Sequence, residues 1–246
     1  MATARKSRAS TTAWTCGATS DVNTASPQRG LSTRNRVRFI GKPLVFALSL
    51  TPFAWLVAAT LGISGLSLGA NPVETLLEDF GTLGLRFTMF ALAVTPLRRL
   101  TGLNWIAQFR RMIGLFAAFY VSLHFAVYLV LDQGLALAPV IEDIVKRPYI
   151  TLGMIALILL LAMTATSTLA ARRRLGQRWQ KLHNSVYLVG ILGVWHFWWQ
   201  VKSDITEPAI YAAVLAGLLG IRVYWRWQRQ RRAKPPAAAA SPQSAA

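Results

Sequence analysis

The sequence predicts an all-α fold: a polytopic bundle of six transmembrane helices with both termini in the cytoplasm. Three observations predict it. Apolar residues make up 54% of the 246 and charged residues only 15%, against about 25% charged in ordinary soluble domains, and the mean hydropathy is +0.39. The apolar residues gather into six runs near the roughly 20 residues that cross a bilayer. The basic residues collect in alternate connections between those runs. Backbone polar groups find no water inside lipid, so each run is read as a helix that bonds its own backbone. The same figures exclude a water-soluble globular domain and a disordered chain, which needs low hydrophobicity.

Residues 1–40 form a first division, rich in Ser, Thr, Ala and Arg, and read as a disordered basic tail rather than an organelle transit peptide. No apolar run of signal-peptide length occurs there. Cys16 follows none either, so no lipoprotein anchor is expected. Residues 41–227 hold the six runs. Leu44–Ile63 is uncharged, and Phe80–Leu97 carries only Arg86. Met112–Leu131 has no formal charge but contains His124. Tyr149–Ala171 is uncharged, His183–Val201 contains His183 and His196, and Pro208–Trp227 is interrupted by Arg222. Residues 228–246, with Pro235, Pro236 and an Ala run, read as a disordered C-terminal tail. No clear internal repeat is read.

The net charge is +18, from 27 Lys+Arg against 9 Asp+Glu, and its placement assigns the topology. Eight bases precede or include Lys42. Arg98, Arg99, Arg110 and Arg111 lie in the second connection. Arg172, Arg173, Arg174, Arg178 and Lys181 lie in the fourth, and Arg226, Arg229, Arg231, Arg232 and Lys234 at the C-terminal end. The alternate connections hold only Lys146, Arg147 and Lys202, with eight of the nine acids: Glu74, Glu78, Asp79, Asp132, Glu142, Asp143, Asp204 and Glu207. Positive charge stays inside, so both termini are cytoplasmic. The charge is a topology signal addressed to a lipid bilayer. Nucleic acid is not an expected partner, because no basic helix stands apart from the membrane ends. The single cysteine excludes an internal disulfide framework, a Cys-based zinc finger and a Cys-ligated iron–sulfur cluster.

All three histidines, His124, His183 and His196, fall in or at the edge of the third and fifth runs. A lone histidine on an apolar helix is ordinarily a hydrogen-bonded core residue, but ionisable groups inside a membrane are costly and mark function. His124 stands 13 residues after Arg111 and His196 15 after Lys181, so at about 1.5 Å per residue they reach about 20 and 22 Å from the inner face. Both helices run the same way. The two imidazoles can therefore face each other at one depth and ligate a haem iron from opposite sides. Zinc would want more ligands, and no Cys, Asp or Glu lies at that depth on either helix. His183, 13 residues before His196, sits about 20 Å lower. Its counterpart on the third helix would be Arg110 or Arg111, which cannot ligate iron, so one haem is the economical count. That leaves His183 as an alternative ligand, part of a flavin or quinone site, or an interfacial residue. Gly190 and Gly193 lie broadly on the face of His196. They either make room for a flat macrocycle or let helices approach closely.

The stretches GANPVE (69–74), TPLRRL (95–100), RRMIGL (110–115), RPYITLGM (147–154), TSTLAARRRLGQRWQKLHNSVYLV (166–189) and HFWWQVK (196–202) resemble the MsrQ (formerly YedZ) family. These are haem-binding membrane subunits of the bacterial periplasmic methionine-sulfoxide reductase system, within the ferric-reductase-like transmembrane group. The resemblance covers about residues 44–226, and LGQRWQKLHN is its most specific block. It implies haem b, an association with FMN, a multi-pass place in the bacterial inner membrane, and electron transfer from the quinone pool to MsrP. MsrP is a periplasmic molybdopterin enzyme that repairs oxidised proteins. The family's histidines match His124, His183 and His196. Only about 20 residues follow Trp227, with no Gly-rich nucleotide fingerprint. Electrons are therefore expected from a membrane quinol or a separate protein, and the chain is expected to be an electron-transfer subunit without catalytic residues of its own.

Three further side-chain groups attach to this reading. Arg178 and Lys181, beside His183, suit a flavin phosphate, although the three consecutive arginines before them also serve the topology. Arg86 lies about 9 Å below the outer face, near the depth of His124 and His196, where it either neutralises a haem propionate or snorkels outward. The acidic outer connections either dock a periplasmic partner or simply lack bases. The alternative functions are another transmembrane b-type cytochrome or ferric-reductase-like protein, a proton-coupled transporter using the histidines, and a structural membrane anchor.

Overall fold

The computed structural model describes residues 35, 37–201 and 204–233. Cys16 and most of the N-terminal tail, Lys202, Lys234 and the Pro- and Ala-rich C-terminus lie outside the described residues. Among the described residues every element is helical. A π-helical turn, Val37–Gly41, leads into α1 (Lys42–Thr60). Then follow α2 (Pro72–Thr101), α3 (Arg110–Val127, extended by a π-helical turn Tyr128–Asp132), α4 (Leu137–Lys146), α5 (Pro148–Ala165), α6 (Leu169–Leu175), α7 (Gln177–Asn184), α8 (Val186–Gln200) and α9 (Thr206–Ala233). The all-α membrane bundle is thus the fold.

Among the described residues five helical stretches are long and apolar enough to cross a membrane: Val37–Thr60, Pro72–Thr101, Arg110–Asp132, Pro148–Ala165 and Thr206–Arg232. The remaining run of the sequence, His183–Val201, is divided. His183 ends up on polar α7, and α8 keeps 15 residues, about 22 Å at about 1.5 Å per residue. At the junction Ser185 N–H donates to Leu182 three residues back, a tightened turn of the kind that closes helices. The Tyr149–Ala171 run is also shorter as a helix. It stops at Ala165, and Thr168 accepts from Ala171 N–H at 3.2 Å to start α6, as hydroxyls at helix starts do. At the other end α9 continues through residues 228–233, into the stretch read as the C-terminal tail.

Local chemistry sets the limits of α2. Asn71 accepts from Glu74 N–H at 3.4 Å and Pro72 occupies the first turn, where its missing N–H costs nothing. The helix ends at Gly102, whose φ of 72° is the left-handed conformation glycine tolerates, and whose N–H closes on Arg98 O at 3.0 Å.

Four helices make the centre. α2 packs along α3, α5 packs along α8, and the two pairs meet through α2–α8 and α3–α5 contacts. α9 covers α8 and α2, α1 leans on α3, and α4 lies over the start of α5. Without a hydrophobic drive between helices in lipid, small residues let backbones come together. A Cβ at Gly84 would stand 2.5 Å from Val121 Cγ2, so α2 and α3 touch there through glycine. Gly190 faces Leu215 and Leu92, and Gly193 faces Leu85. These two glycines serve helix packing, not the clearance of space for a macrocycle. Between α1, α2 and α3 lies an aromatic cluster in which Phe87 and Tyr120 stack at 5.2 Å. Tyr120, fully buried, donates to Ser49 O of α1 at 2.5 Å, which satisfies its hydroxyl inside that core.

Candidate functional site

His124 of α3 and His196 of α8 face each other across the four-helix centre. Their ring centroids are 6.1 Å apart and their planes are 84° apart. The sequence places them at one depth, and the fold brings them into contact. Each imidazole is held the same way. His124 Nδ1 donates to Leu77 O of α2 at 2.8 Å, and His196 Nδ1 donates to Tyr149 O of α5 at 2.7 Å. A carbonyl can only accept, so Nδ1 carries the proton on both rings and Nε2 keeps its lone pair. Hydrogen bonding of the distal nitrogen is the usual way a protein orients a ligating histidine and raises its basicity.

A glycine completes each arrangement. A Cβ at Gly81 would lie 3.0 Å from His124 Nδ1, and one at Gly153 would lie 3.1 Å from His196 Nδ1. Leu77, Gly81 and His124 recur as Tyr149, Gly153 and His196, each 72 positions later. Their helices recur too, since α2 packed on α3 maps onto α5 packed on α8 in the same order. The centre is therefore a duplicated helix pair, a repeat that the sequence reading missed. The signal was present as G81 with HF at 124–125 against G153 with HF at 196–197. It is sparse because the lipid-facing positions of the two copies share only apolar character. The same offset sets His183 opposite Arg111, so the repeat completes only one histidine pair.

The donor set fits an iron with two axial imidazoles. With metal–nitrogen bonds of about 2.0 Å and ring centres about 1.1 Å behind each nitrogen, such ligands hold their centroids about 6.2 Å apart; the observed separation is 6.1 Å. Among the described residues no group of three or more His, Cys, Asp or Glu side chains gathers as a metal cluster. A two-ligand iron with its other four positions filled by a macrocycle suits this pair better than zinc.

The other candidate residues stand apart. His183 stacks on Trp179 of its own helix at 3.9 Å, and its Nδ1 bonds Trp179 O at 3.1 Å. Trp179 in turn donates to Thr166 O at 2.9 Å and lies under Arg172. Arg178 and Lys181 come together, with Arg174, Leu175 and Gln177, around a groove of about 440 Å³. Gly176 turns the chain between α6 and α7 with a φ of 49°, a sign of φ that an L side chain rarely takes. His183 does not line this groove. Arg86 is exposed, and its Nε donates to the Tyr211 hydroxyl of α9 at 2.7 Å, a partner that the sequence reading did not foresee. Of the outer acids, Asp143 accepts from Tyr128 at 2.9 Å and pairs with Arg147 at 3.2 Å, and Glu142 pairs with Lys146. The Thr206 hydroxyl, and after it the Thr206 N–H that donates to Asp204 at 2.9 Å, hold the Asp204 carboxyl below the usual range.

Known proteins match most of this chain. Residues 80–194 match the family described as ferric reductase like transmembrane component, a span that includes α3, α5 and most of α8. The chain is 49% identical to the protein-methionine-sulfoxide reductase heme-binding subunit MsrQ of Ralstonia nicotianae, over 76% of this chain and 87% of that one. It is 48% identical to MsrQ of Bordetella pertussis, over 78% and 93%. It is 46% identical to MsrQ of Xanthomonas euvesicatoria pv. vesicatoria, over 80% and 94%. No solved structure matches. With nearly half of the aligned residues identical across most of both chains, this chain belongs to the MsrQ family.

Proposed function

We propose that this chain is a haem-b electron-transfer subunit of the bacterial inner membrane, with His124 and His196 as the axial ligands of the iron. It takes electrons from membrane quinol and passes them to a periplasmic molybdopterin methionine-sulfoxide reductase, MsrP. The observation that carries the reading is the pair of facing imidazoles with both Nε2 lone pairs available, 6.1 Å apart between ring centres. The haem supplies one-electron chemistry between ferric and ferrous iron. The chain's own residues hold the ligands, fix their tautomer through Leu77 O and Tyr149 O, and surround them with apolar helices that exclude water. Arg86, steadied by Tyr211, is read as the donor to a haem propionate. An apolar groove of about 510 Å³ on the α8–α9 face, lined by Trp195, Trp198, Trp199 and Leu215, supports quinol access from the lipid. It borders the turn of α8 that carries His196.

Six spans with cytoplasmic termini complete the proposal, with α8 as the short fifth span. Residues 1–40 and the C-terminal end flank the haem domain. Purified protein is expected to show a sharp Soret band that shifts on dithionite and returns on oxidation. Colourless protein that binds no added haemin overturns the reading.

FMN belongs to the same proposal. The groove of Arg174, Arg178 and Lys181 offers three cations to its phosphate, and charge-assisted bonds of that kind are about twice as strong as neutral ones. The double variant Arg178→Ala/Lys181→Ala is expected to weaken FMN binding about 10-fold or more, as for loss of one or two such bonds at about 1.5 kcal/mol each, and to leave haem content unchanged. Fluorescence titration of FMN beside the haem spectrum checks it. Equal FMN affinity in the variant removes this groove from the proposal.

A further inference from the structure

We propose that Gly81 and Gly153 are positioning residues in two copies of one half-site, and that together they hold the imidazoles of His124 and His196 in nearly perpendicular planes on a shared iron. The inference rests on the haem reading above. In a helix the side chain of residue i+4 flanks the carbonyl of residue i. Gly81 is four residues after Leu77, and Gly153 four after Tyr149. Glycine at each place leaves the carbonyl open on its outer side, and that carbonyl accepts the imidazole N–H at 2.8 or 2.7 Å. The three atoms nearest a Cβ built at Gly81 all belong to the His124 ring, and those at Gly153 all belong to the His196 ring. The packing glycines differ. At Gly84 the nearest atoms are the Cγ2 and backbone of Val121, and at Gly190 and Gly193 they are leucine side chains. The two kinds of glycine thus have separate duties.

The duplication accounts for the ring planes. A two-fold operation that exchanges α2–α3 with α5–α8 also exchanges the rings, so each half-site turns its own ring from the axis by half of the 84° between them, in opposite senses. The carbonyl sets that turn, because the Nδ1–H must lie along its acceptor direction. An alanine methyl 3.0 or 3.1 Å from Nδ1 would push the ring off the carbonyl. The ring would then lose its orientation and the basicity that the bond confers. Weaker donation from the ligand stabilises ferric iron less, so the midpoint potential rises. Perpendicular axial planes leave two iron d-orbitals nearly equal in energy, which gives a low-spin ferric EPR signal dominated by one large g value. Parallel planes give a rhombic signal with three resolved g values.

The test uses the full chain purified with its haem. Wild type is expected to give the signal with one large g value. Gly81→Ala and Gly153→Ala are each expected to move that signal and to raise the midpoint potential in redox titration. Gly217→Ala, with open space at its Cβ position on α9, should leave both unchanged. A rhombic wild-type spectrum, or alanine variants that keep the wild-type signal and potential, overturns the inference. A variant that holds no haem is compared by thermal melt with haem-free His124→Ala. Matching melts support displacement of the ligand, and a collapsed fold overturns positioning in favour of packing. Wild-type protein that takes up no haem overturns instead the reading beneath.

Discussion

His124→Ala and His196→Ala are each expected to abolish haem binding in the purified protein. Loss of a mere hydrogen-bond partner of a ligating histidine lowers metal affinity by about 10–100-fold. Loss of the ligand itself exceeds that, because the opposite imidazole is left to hold the iron alone. The two losses should be equal, since both histidines use the same backbone anchor at nearly the same distance, 2.8 and 2.7 Å. His183→Ala is the companion measurement. Its ring is engaged with Trp179 on α7, so the haem content of that variant should match wild type. Pyridine haemochrome content per mole of protein reads all three. Wild-type haem in either His124→Ala or His196→Ala sinks the ligand assignment. Haem lost in His183→Ala assigns a ligand to the inner side.

Gly84→Ala is expected to lower both thermal stability and haem retention. The new Cβ would meet Val121 Cγ2 at 2.5 Å and Val121 N at 3.2 Å. Valine is stiff at χ1, so neither atom can move away cheaply, and α2 must back off from α3. Overpacking of this kind costs about 1–3 kcal/mol. The same displacement stretches the bond from His124 to Leu77 O, which spans these two helices less than two turns away. Stability and haem affinity should therefore fall together. Adding Val121→Ala removes the clashing branch, so the double variant should regain most of both. A melt of detergent-solubilised protein, read with the Soret absorbance, follows the two quantities in one experiment. A single variant as stable as wild type, or a double variant with no recovery, refutes close α2–α3 contact at this point.

Much of this protein was legible in its residues. Long uncharged runs such as Leu44–Ile63 and Tyr149–Ala171 must satisfy their backbones within themselves in lipid, so composition alone dictates an all-α membrane bundle. Helix rise is nearly constant, so counting from Arg111 and Lys181 brought His124 and His196 to one level before any fold was known. Rise says nothing about azimuth or about which neighbour a helix meets, and those were decided by tertiary packing. Gly190 and Gly193, which lie on the turns before His196, pack against Leu215, Leu92 and Leu85. The glycines that touch the histidines, Gly81 and Gly153, lie on other helices. Arg86 has its observed partner, Tyr211, 125 residues away. The hydropathy does change from polar α7 to apolar α8, but the turn at Ser185 that sets His183 apart is not legible in it, because the residues on both sides favour helix. The sequence by itself determined the fold class and the level of the histidine pair, since both follow from distances along one chain. Only the tertiary structure decided the carbonyls, glycines and ring planes around that pair, because these depend on the approach of helices whose contact surfaces are apolar and carry little sequence signal.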